Sequence, residues 1–300
     1  MTPRRKHPLV PGFINPPPFG TFLRRNWFDI TTILLCVLTA WLLYKFCPPL
    51  MPRYFPLFEN VQQTSWGIRH SQPFRSEYVT TIMSAAIAFV IPALIMGLIA
   101  LWGTRGFGDA NAALVGLGYA LATSTLLIVL LKIFIGGLRP HFLTVCNPVM
   151  PPPVPGIGAY KQYYTASQVC LGPVKEIQMS FPSGHASAAF AGFGFLALYL
   201  NAKFKIISNG GRFRETYGSR EPGPMTSRVH HWKSLLFALP WLVALLLSLS
   251  KIRDGWHHPI DILFGALIGT LFAHLAYRMC YRSVYDWKEN HIPLEGDGGE

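Results

Sequence analysis

Six stretches of this chain, 27–44, 80–102, 112–134, 183–200, 235–249 and 260–281, are almost free of charge and long enough to cross or nearly cross a bilayer. Spanning the hydrocarbon core takes about 20 mostly apolar residues. Because no water there can satisfy backbone groups, each stretch has to be helical or part of a closed barrel. None shows the strict alternation of a barrel strand, so helices are predicted. The first and fifth stretches are the shortest. Composition agrees: 51% of the residues are hydrophobic and 13% charged, against roughly a quarter charged in a soluble domain. The predicted fold is therefore all-α, a polytopic membrane protein whose six transmembrane helices form one bundle over residues 27–281. A basic, Pro-rich N-terminal segment, 1–26, precedes it and a tail, 282–300, follows. Ala186, Ala188, Ala189, Ala191, Gly192 and Gly194 give the fourth stretch the small residues that let helix backbones approach closely.

The net charge of +12 does not read as a nucleic-acid footprint, because the basic residues fall between the apolar runs and match an anionic membrane surface. The segments before the first stretch, between the second and third, between the fourth and fifth, and at the C-terminal end from Arg278 on hold 16 of the 26 Lys and Arg residues, which puts both termini on the cytoplasmic side. The 201–234 loop is expected to be flexible, with no chemistry of its own. The outer side then carries a long segment, 140–181, with a proline-rich run at 150–156 that should be extended. Residues 1–26 lack the apolar core of a cleavable signal peptide, and no N-glycosylation sequon occurs. Cys36, Cys47 and Cys280 lie in or near apolar runs as inert thiols. Cys146 and Cys170 share the long loop and can pair if it faces an oxidising compartment.

Three polar clusters lie at the outer ends of these apolar runs, where polar residues are costly and call for a functional reason. The first is Lys132-Ile-Phe-Ile-Gly-Gly-Leu-Arg139-Pro140, whose spacing of seven sets both cations on one helical face. The second is Pro182-Ser183-Gly184-His185. The third runs from Ser250 through Lys251, Arg253 and His257 to Asp261. Singly, each has a plain structural explanation: Lys132 can snorkel, Ser183 can cap a helix, and His257 with Asp261 can be a structural pair. Together, in this order and on one membrane face, they need a common cause. Trp256, Trp102 and Trp27 read as interfacial belt residues, and His141 follows the first cluster closely enough to line a site.

The three clusters resemble the signature of the type 2 phosphatidic acid phosphatase superfamily: Lys-x6-Arg-Pro, Pro-Ser-Gly-His and Ser-Arg-x5-His-x3-Asp. The resemblance covers roughly residues 80–280, and the phrase Arg253-Asp254-x-x-His257-His258-x-x-Asp261 is most similar to lipid phosphate phosphatases and diacylglycerol pyrophosphate phosphatases. One departure stands out: Lys251 occupies the family's third-motif arginine position, which keeps the charge but loses the two-pronged fit to phosphate. Arg253, two residues on, is the alternative source of a fork.

That resemblance implies dephosphorylation of a membrane lipid phosphate (phosphatidic acid, diacylglycerol pyrophosphate or lysophosphatidic acid) through a phosphohistidine. His257 is the implied nucleophile, Asp261 orients its ring, and His185 is the general acid and then base. Lys132, Arg139 and Lys251, with Ser183, the Gly184 N–H and Arg253, would hold the phosphoryl oxygens. Fixed cations stand where many phosphatases use a metal, so no cofactor and no Mg²⁺ is expected. The implied partners are the lipid substrate and the bilayer, not nucleic acid, with the site at the outer, extracytoplasmic or lumenal interface. The alternatives are a sphingolipid head-group transferase, or an isoprenoid or sphingoid-base phosphate phosphatase of the same superfamily.

Overall fold

The computed structural model describes residues 12–14, 16–150, 163–207 and 232–294. Nine α-helices occur among them: α1 (Phe19–Phe46), α2 (Ser65–His70), α3 (Thr81–Ile99), α4 (Phe107–Phe134), α5 (Phe142–Cys146), α6 (Ala166–Val169), α7 (Gly184–Phe204), α8 (Lys233–Arg253) and α9 (Pro259–Cys280). The long ones, α1, α3, α4, α7, α8 and α9, are the six predicted stretches. Two short strands, β1 (Tyr54–Pro56) and β2 (Tyr163–Thr165), pair antiparallel above one end of the bundle. The prolines beyond Met150 and most of the basic loop before α8 lie outside the described residues, so the expectations placed on them are not addressed by this structure.

Helix α7 is the hub. It packs against α3, α4, α8 and α9, while α1 lies on the outer side of α4. Sixteen of the residues of α7 are buried, from His185 to Ala202. By length and composition α1, α3 with its π-helical last turn, α4, α8 and α9 qualify as membrane-crossing helices. The fourth predicted span, α7, does not meet that apolar threshold. The reason is its position: a helix surrounded by other helices exchanges lipid-facing Leu and Ile for Gly, Ala, Ser and Asn that pack or pair within protein. Conversely, α1, α3, α8 and α9 expose Leu, Ile, Phe and Trp side chains along their outer faces, the surface that lipid covers in a multi-pass membrane protein.

Helix ends also shift. Helix α1 begins at Phe19, eight residues before the apolar run, so Arg24, Arg25 and Asn26 are already helical. The turn after α8 is made by Gly255 at φ +74, a left-handed conformation that costs glycine nothing. It lets the Trp256 and His257 amides donate back to Lys251 O at 3.0 and 3.3 Å and turns His257 inward. At Gly265 the α9 backbone comes so close to α7 that a Cβ would lie 2.4 Å from Ser183 O. That contact sets the starts of α7 and α9 side by side.

At the opposite end, buried Asp109 accepts from Lys203 Nζ at 2.6 Å, Tyr199 Oη at 3.0 Å and Tyr281 Oη at 3.0 Å. One carboxylate thus ties α4, α7 and the end of α9. The described part of the tail folds back onto the same end, where Tyr277 Oη donates to Asn290 O at 2.9 Å.

Candidate active site

The loops that follow α4 and precede α7 bring the first two sequence clusters together. Gly137 N donates to Gln178 O, Arg139 N to Ile177 O and Ser180 N to Gly137 O, at 3.0, 2.9 and 2.9 Å. Arg53, from the β1 segment, caps the end of α4 by donating to Lys132 O and Ile135 O at 3.2 and 2.9 Å. A guanidinium at a helix C-terminus satisfies orphan carbonyls and complements the dipole there. Cys146 and Cys170 are disulfide-bonded in this cap, beside a small core of Phe55, Phe142 and Ile177. The pairing that the sequence left conditional is therefore made.

The third cluster joins through two hydrogen bonds. Ser183 N donates to Asp261 O at 3.0 Å, and Ser180 Oγ donates to Asp261 Oδ2 at 2.6 Å. Oδ2 also accepts from His258 N at 2.9 Å, the back-bond of a capping box at the start of α9, with Pro259 at its first position. Asp261 Oδ2 stands 3.5 Å from His257 Nδ1. That is longer than a formed hydrogen bond, and Nδ1 has no other partner; such contacts commonly tighten when substrate arrives. Burial holds the His257 ring down to about 3 in pKa, and the Lys132 and Arg139 cations add to this against the opposing Asp261 carboxylate. The imidazole is thus neutral, the form a nucleophile needs.

The rings of His257 and His185 face each other at 6.2 Å in a T-shaped arrangement. They line a cavity of about 460 Å³ together with Lys132, Arg139 and Gly184. Lys132 Nζ donates to Met179 O at 2.7 Å, and Arg139 Nε donates to Glu176 O at 2.8 Å. This leaves Arg139 Nη1 buried without a hydrogen-bond partner, as are His185 Nε2 and Glu77 Oε1. Buried polar groups are seldom left unpaired, and several around one cavity mark a place for a ligand that completes them. From this polar end the cavity continues along Val37, Ala40 and Trp41 of α1, Ser84 and Ala85 of α3, and Ile128 and Val129 of α4. Helices α1 and α3 each pack on α4 but scarcely touch one another, so the apolar part runs between them.

The remaining sequence candidates divide. Lys251 is fully buried behind the cavity wall, against Val79 O, with Glu77 Oε1 at 3.4 Å and Asp254 Oδ2 at 3.7 Å. Arg253 is exposed and lies over the Tyr78 ring at 5.6 Å, away from the histidines, so it supplies no fork to this site. The Ser183 hydroxyl accepts from Ala186 N at 3.4 Å as the α7 cap, and it is not part of the cavity lining. His141 does not line the cavity either; its Nδ1–H donates to Gly255 O at 2.9 Å behind Trp256. Trp256, read from the sequence as an interfacial belt residue, has in addition the Arg139 guanidinium over its ring at 4.5 Å and forms part of the cavity wall. The sequence reading missed Glu77 and Ser180. Neither belongs to a spaced motif, and a carboxylate just before a predicted span looks like an ordinary loop residue.

Residues 113–285, more than half of the chain, match the PAP2 superfamily. Among curated relatives, a PA-phosphatase related-family protein of Dictyostelium discoideum is 32% identical over 75% of this chain and 63% of its own length. Lipid phosphate phosphatase 1 of Arabidopsis thaliana is 33% identical over 71% and 58%. Diacylglycerol pyrophosphate phosphatase 1 of Saccharomyces cerevisiae is 29% identical over 72% and 69%. This chain thus spans about six-tenths of the length of the first of these relatives.

Proposed function

Because this chain belongs to the PAP2 superfamily, we propose that it removes phosphate from lipid phosphates: phosphatidic acid, diacylglycerol pyrophosphate or lysophosphatidic acid. The observation that carries this reading is one cavity with two chemistries. Its inner end holds two facing histidines and two buried cations; its outer part is an apolar trench between α1 and α3. A phosphate ester with acyl chains fits that division, with its head group against Lys132 and Arg139 and its chains towards the bilayer.

In the reaction His257 Nε2 attacks phosphorus; the N–P bond forms as the P–O bond to the lipid breaks. His185 gives its proton to the departing oxygen, an alkoxide from phosphatidic or lysophosphatidic acid and a phosphate oxygen from diacylglycerol pyrophosphate. It then takes a proton from the water whose oxygen displaces His257, and phosphate leaves. Asp261 holds the Nδ1 proton of His257 and stabilises its charge, the role an aspartate plays in serine-hydrolase triads. Lys132, Arg139 and the Gly184 N–H stabilise charge on the phosphoryl oxygens, the dominant requirement of phosphoryl transfer. Lys251 adds positive potential from behind the wall. This set of cations can neutralise a phosphoryl dianion, so the reaction requires no metal.

The site end faces the extracytoplasmic or lumenal side and both termini are cytoplasmic. Basic residues concentrated in the segments at the other end support this. The Cys146–Cys170 bond belongs to an oxidising compartment and supports it independently. The test is release of inorganic phosphate by the purified chain in detergent from a panel of lipid phosphates, with a head-group transfer assay beside it. Phosphate release from none of the panel overturns the proposal.

A further inference from the structure

Two cations and two histidines line the inner end of this cavity, with Lys251 close behind its wall, and a general acid placed there meets an electrostatic problem. An imidazolium at His185 would face Lys132, Arg139 and Lys251 in a buried, poorly screening environment. Asp261 cannot offset this, because its carboxylate is spent on Ser180, His258 and the far side of His257. Of the two other carboxylates that line the cavity, Glu176 accepts from Tyr44 Oη at 3.2 Å, and Glu77 is the one within ion-pair distance of His185. Glu77, in the segment that leads into α3, lines the cavity, with its Oε1 3.6 Å from His185 Nε2 and 3.4 Å from Lys251 Nζ. Both Glu77 Oε1 and His185 Nε2 are buried and neither has a hydrogen-bond partner. They are an acceptor and a ring nitrogen that meet on a small movement once the ring carries a proton.

We propose that Glu77 is a positioning residue of the reaction, the counter-charge that lets His185 hold the proton it delivers to the leaving lipid alkoxide. It stands to the acid as Asp261 stands to the nucleophile. This rests on the hydrolytic reading given above. The proton itself stays with His185: it passes from His185 to the alkoxide as the P–O bond breaks, and water returns one as the N–P bond breaks. Glu77 changes protonation in neither step. The titratable groups around it are His185 from α7, Lys251 from α8, Lys132 from α4, Tyr44 from α1, and Arg139, His257 and Glu176 from the connecting segments, with Asp254 on the far side of Lys251. Lys251 keeps Asp254 and Val79 O as partners whether or not Glu77 is charged, so removing the Glu77 charge does not release Lys251.

The leaving group separates a proton-delivery role from simple support of the wall. A diacylglycerol alkoxide needs a proton to depart; p-nitrophenolate does not. The experiment compares full-length wild type, Glu77→Gln and Glu77→Asp in detergent, on phosphatidic acid and on p-nitrophenyl phosphate. General acid catalysis contributes about 10²- to 10⁴-fold. Glu77→Gln should therefore lower kcat on phosphatidic acid about 100-fold and on p-nitrophenyl phosphate less than tenfold. It should also move the basic limb of the phosphatidic acid kcat profile to lower pH, because the variant's His185 loses its proton more easily. Glu77→Asp, which keeps the charge, should recover part of the loss and the position of the limb. Equal losses on both esters, or an unmoved limb, reduce Glu77 to a structural wall residue and overturn the inference. So does a lower KM at unchanged kcat, which would make the carboxylate a stand-in for the substrate anion. If wild type releases phosphate from neither ester, the hydrolytic reading fails and the inference falls with it.

Discussion

The Ser183 amide donates to the main-chain oxygen of Asp261 at 3.0 Å, fastening the start of the helix that carries His185 to the residue that backs His257. Ser180 adds a second tie to the same residue through its carboxylate, at 2.6 Å. The proposed nucleophile and acid are therefore held in one rigid joint between α7 and α9, closed by the near-contact at Gly265. Geometry of this kind, set by main-chain bonds, should survive loss of any one catalytic side chain.

Asp261→Asn tests that separation. The amide still offers an oxygen to His258 N and Ser180, so the joint stays closed. It does not hold the Nδ1 proton of His257 or stabilise charge on the ring as a carboxylate does. A fall in kcat of roughly 10⁴-fold is expected, as when a triad aspartate is neutralised, with little change in melting temperature. Activity within tenfold of wild type would show that Asp261 is a structural residue of the joint and nothing more.

His257→Ala and His185→Ala should fail differently. With a radiolabelled lipid phosphate, rapid quenching of wild type should trap an acid-labile, base-stable phosphoenzyme. His257→Ala should form none. His185→Ala should form it slowly, and with a good leaving group should accumulate it, because the water step also lacks its base. A phosphoenzyme in the His257→Ala protein would move the nucleophile elsewhere.

Activity should be unchanged in excess EDTA, since the proposed mechanism draws on Lys132 and Arg139 for the charge that a metal would otherwise supply. Vanadate, which adopts the five-coordinate geometry of the transition state, should inhibit wild type and lose affinity in His257→Ala. Activity abolished by EDTA and restored by Mg²⁺ would require a different phosphate site.

The apolar trench gives a test of the substrate class. Ala85 lines it from α3 and its side chain is exposed, so Ala85→Trp fills the trench without breaking the core. kcat/KM for long-chain phosphatidic acid should fall at least tenfold, while p-nitrophenyl phosphate, which has no chains to place, should be turned over as before. Equal effects on both would place the acyl chains along another path.

How far the sequence disclosed this site follows from what kinds of relationship it records. Lys132 and Arg139, or His257 and Asp261, lie a fixed number of residues apart, so spacing alone brings them to one face. Six long helices were legible for the same reason, since apolar runs are local. The hub position of α7 was legible only in part: its Gly and Ala residues signal close helix packing, but which helices surround it depends on non-local contacts. Glu77 meets His185 and Lys251 across more than 100 residues of chain, and Trp256 meets Arg139 by folding. Neither relation leaves a spacing to read. The α7 cap was the plain sequence reading of Ser183, but that the hydroxyl stays out of the cavity lining is a matter of tertiary placement.

The third motif carries Lys251 and Arg253, and they should contribute very unequally. Lys251 is wholly buried between Val79 O, Glu77 and Asp254. Truncation to alanine leaves two carboxylates facing each other without their cation, and losing one partner of a buried pair costs about 3–5 kcal/mol of stability. Lys251→Ala should therefore melt well below wild type and lose most activity. Lys251→Arg keeps the charge, but the larger guanidinium has to enter a filled space, and overpacking costs typically about 1–3 kcal/mol. That variant should be less stable than wild type even though arginine is the family's residue at this position. Arg253 lies exposed over Tyr78, where a cation–π contact is worth about 0.5–1 kcal/mol. Arg253→Ala should keep kcat/KM within about threefold. Thermal unfolding and phosphate release measured on all three variants decide between the residues. A large loss of kcat/KM in Arg253→Ala with Lys251→Ala nearly intact would assign the charge to Arg253 and show that the third motif is arranged differently when substrate is bound.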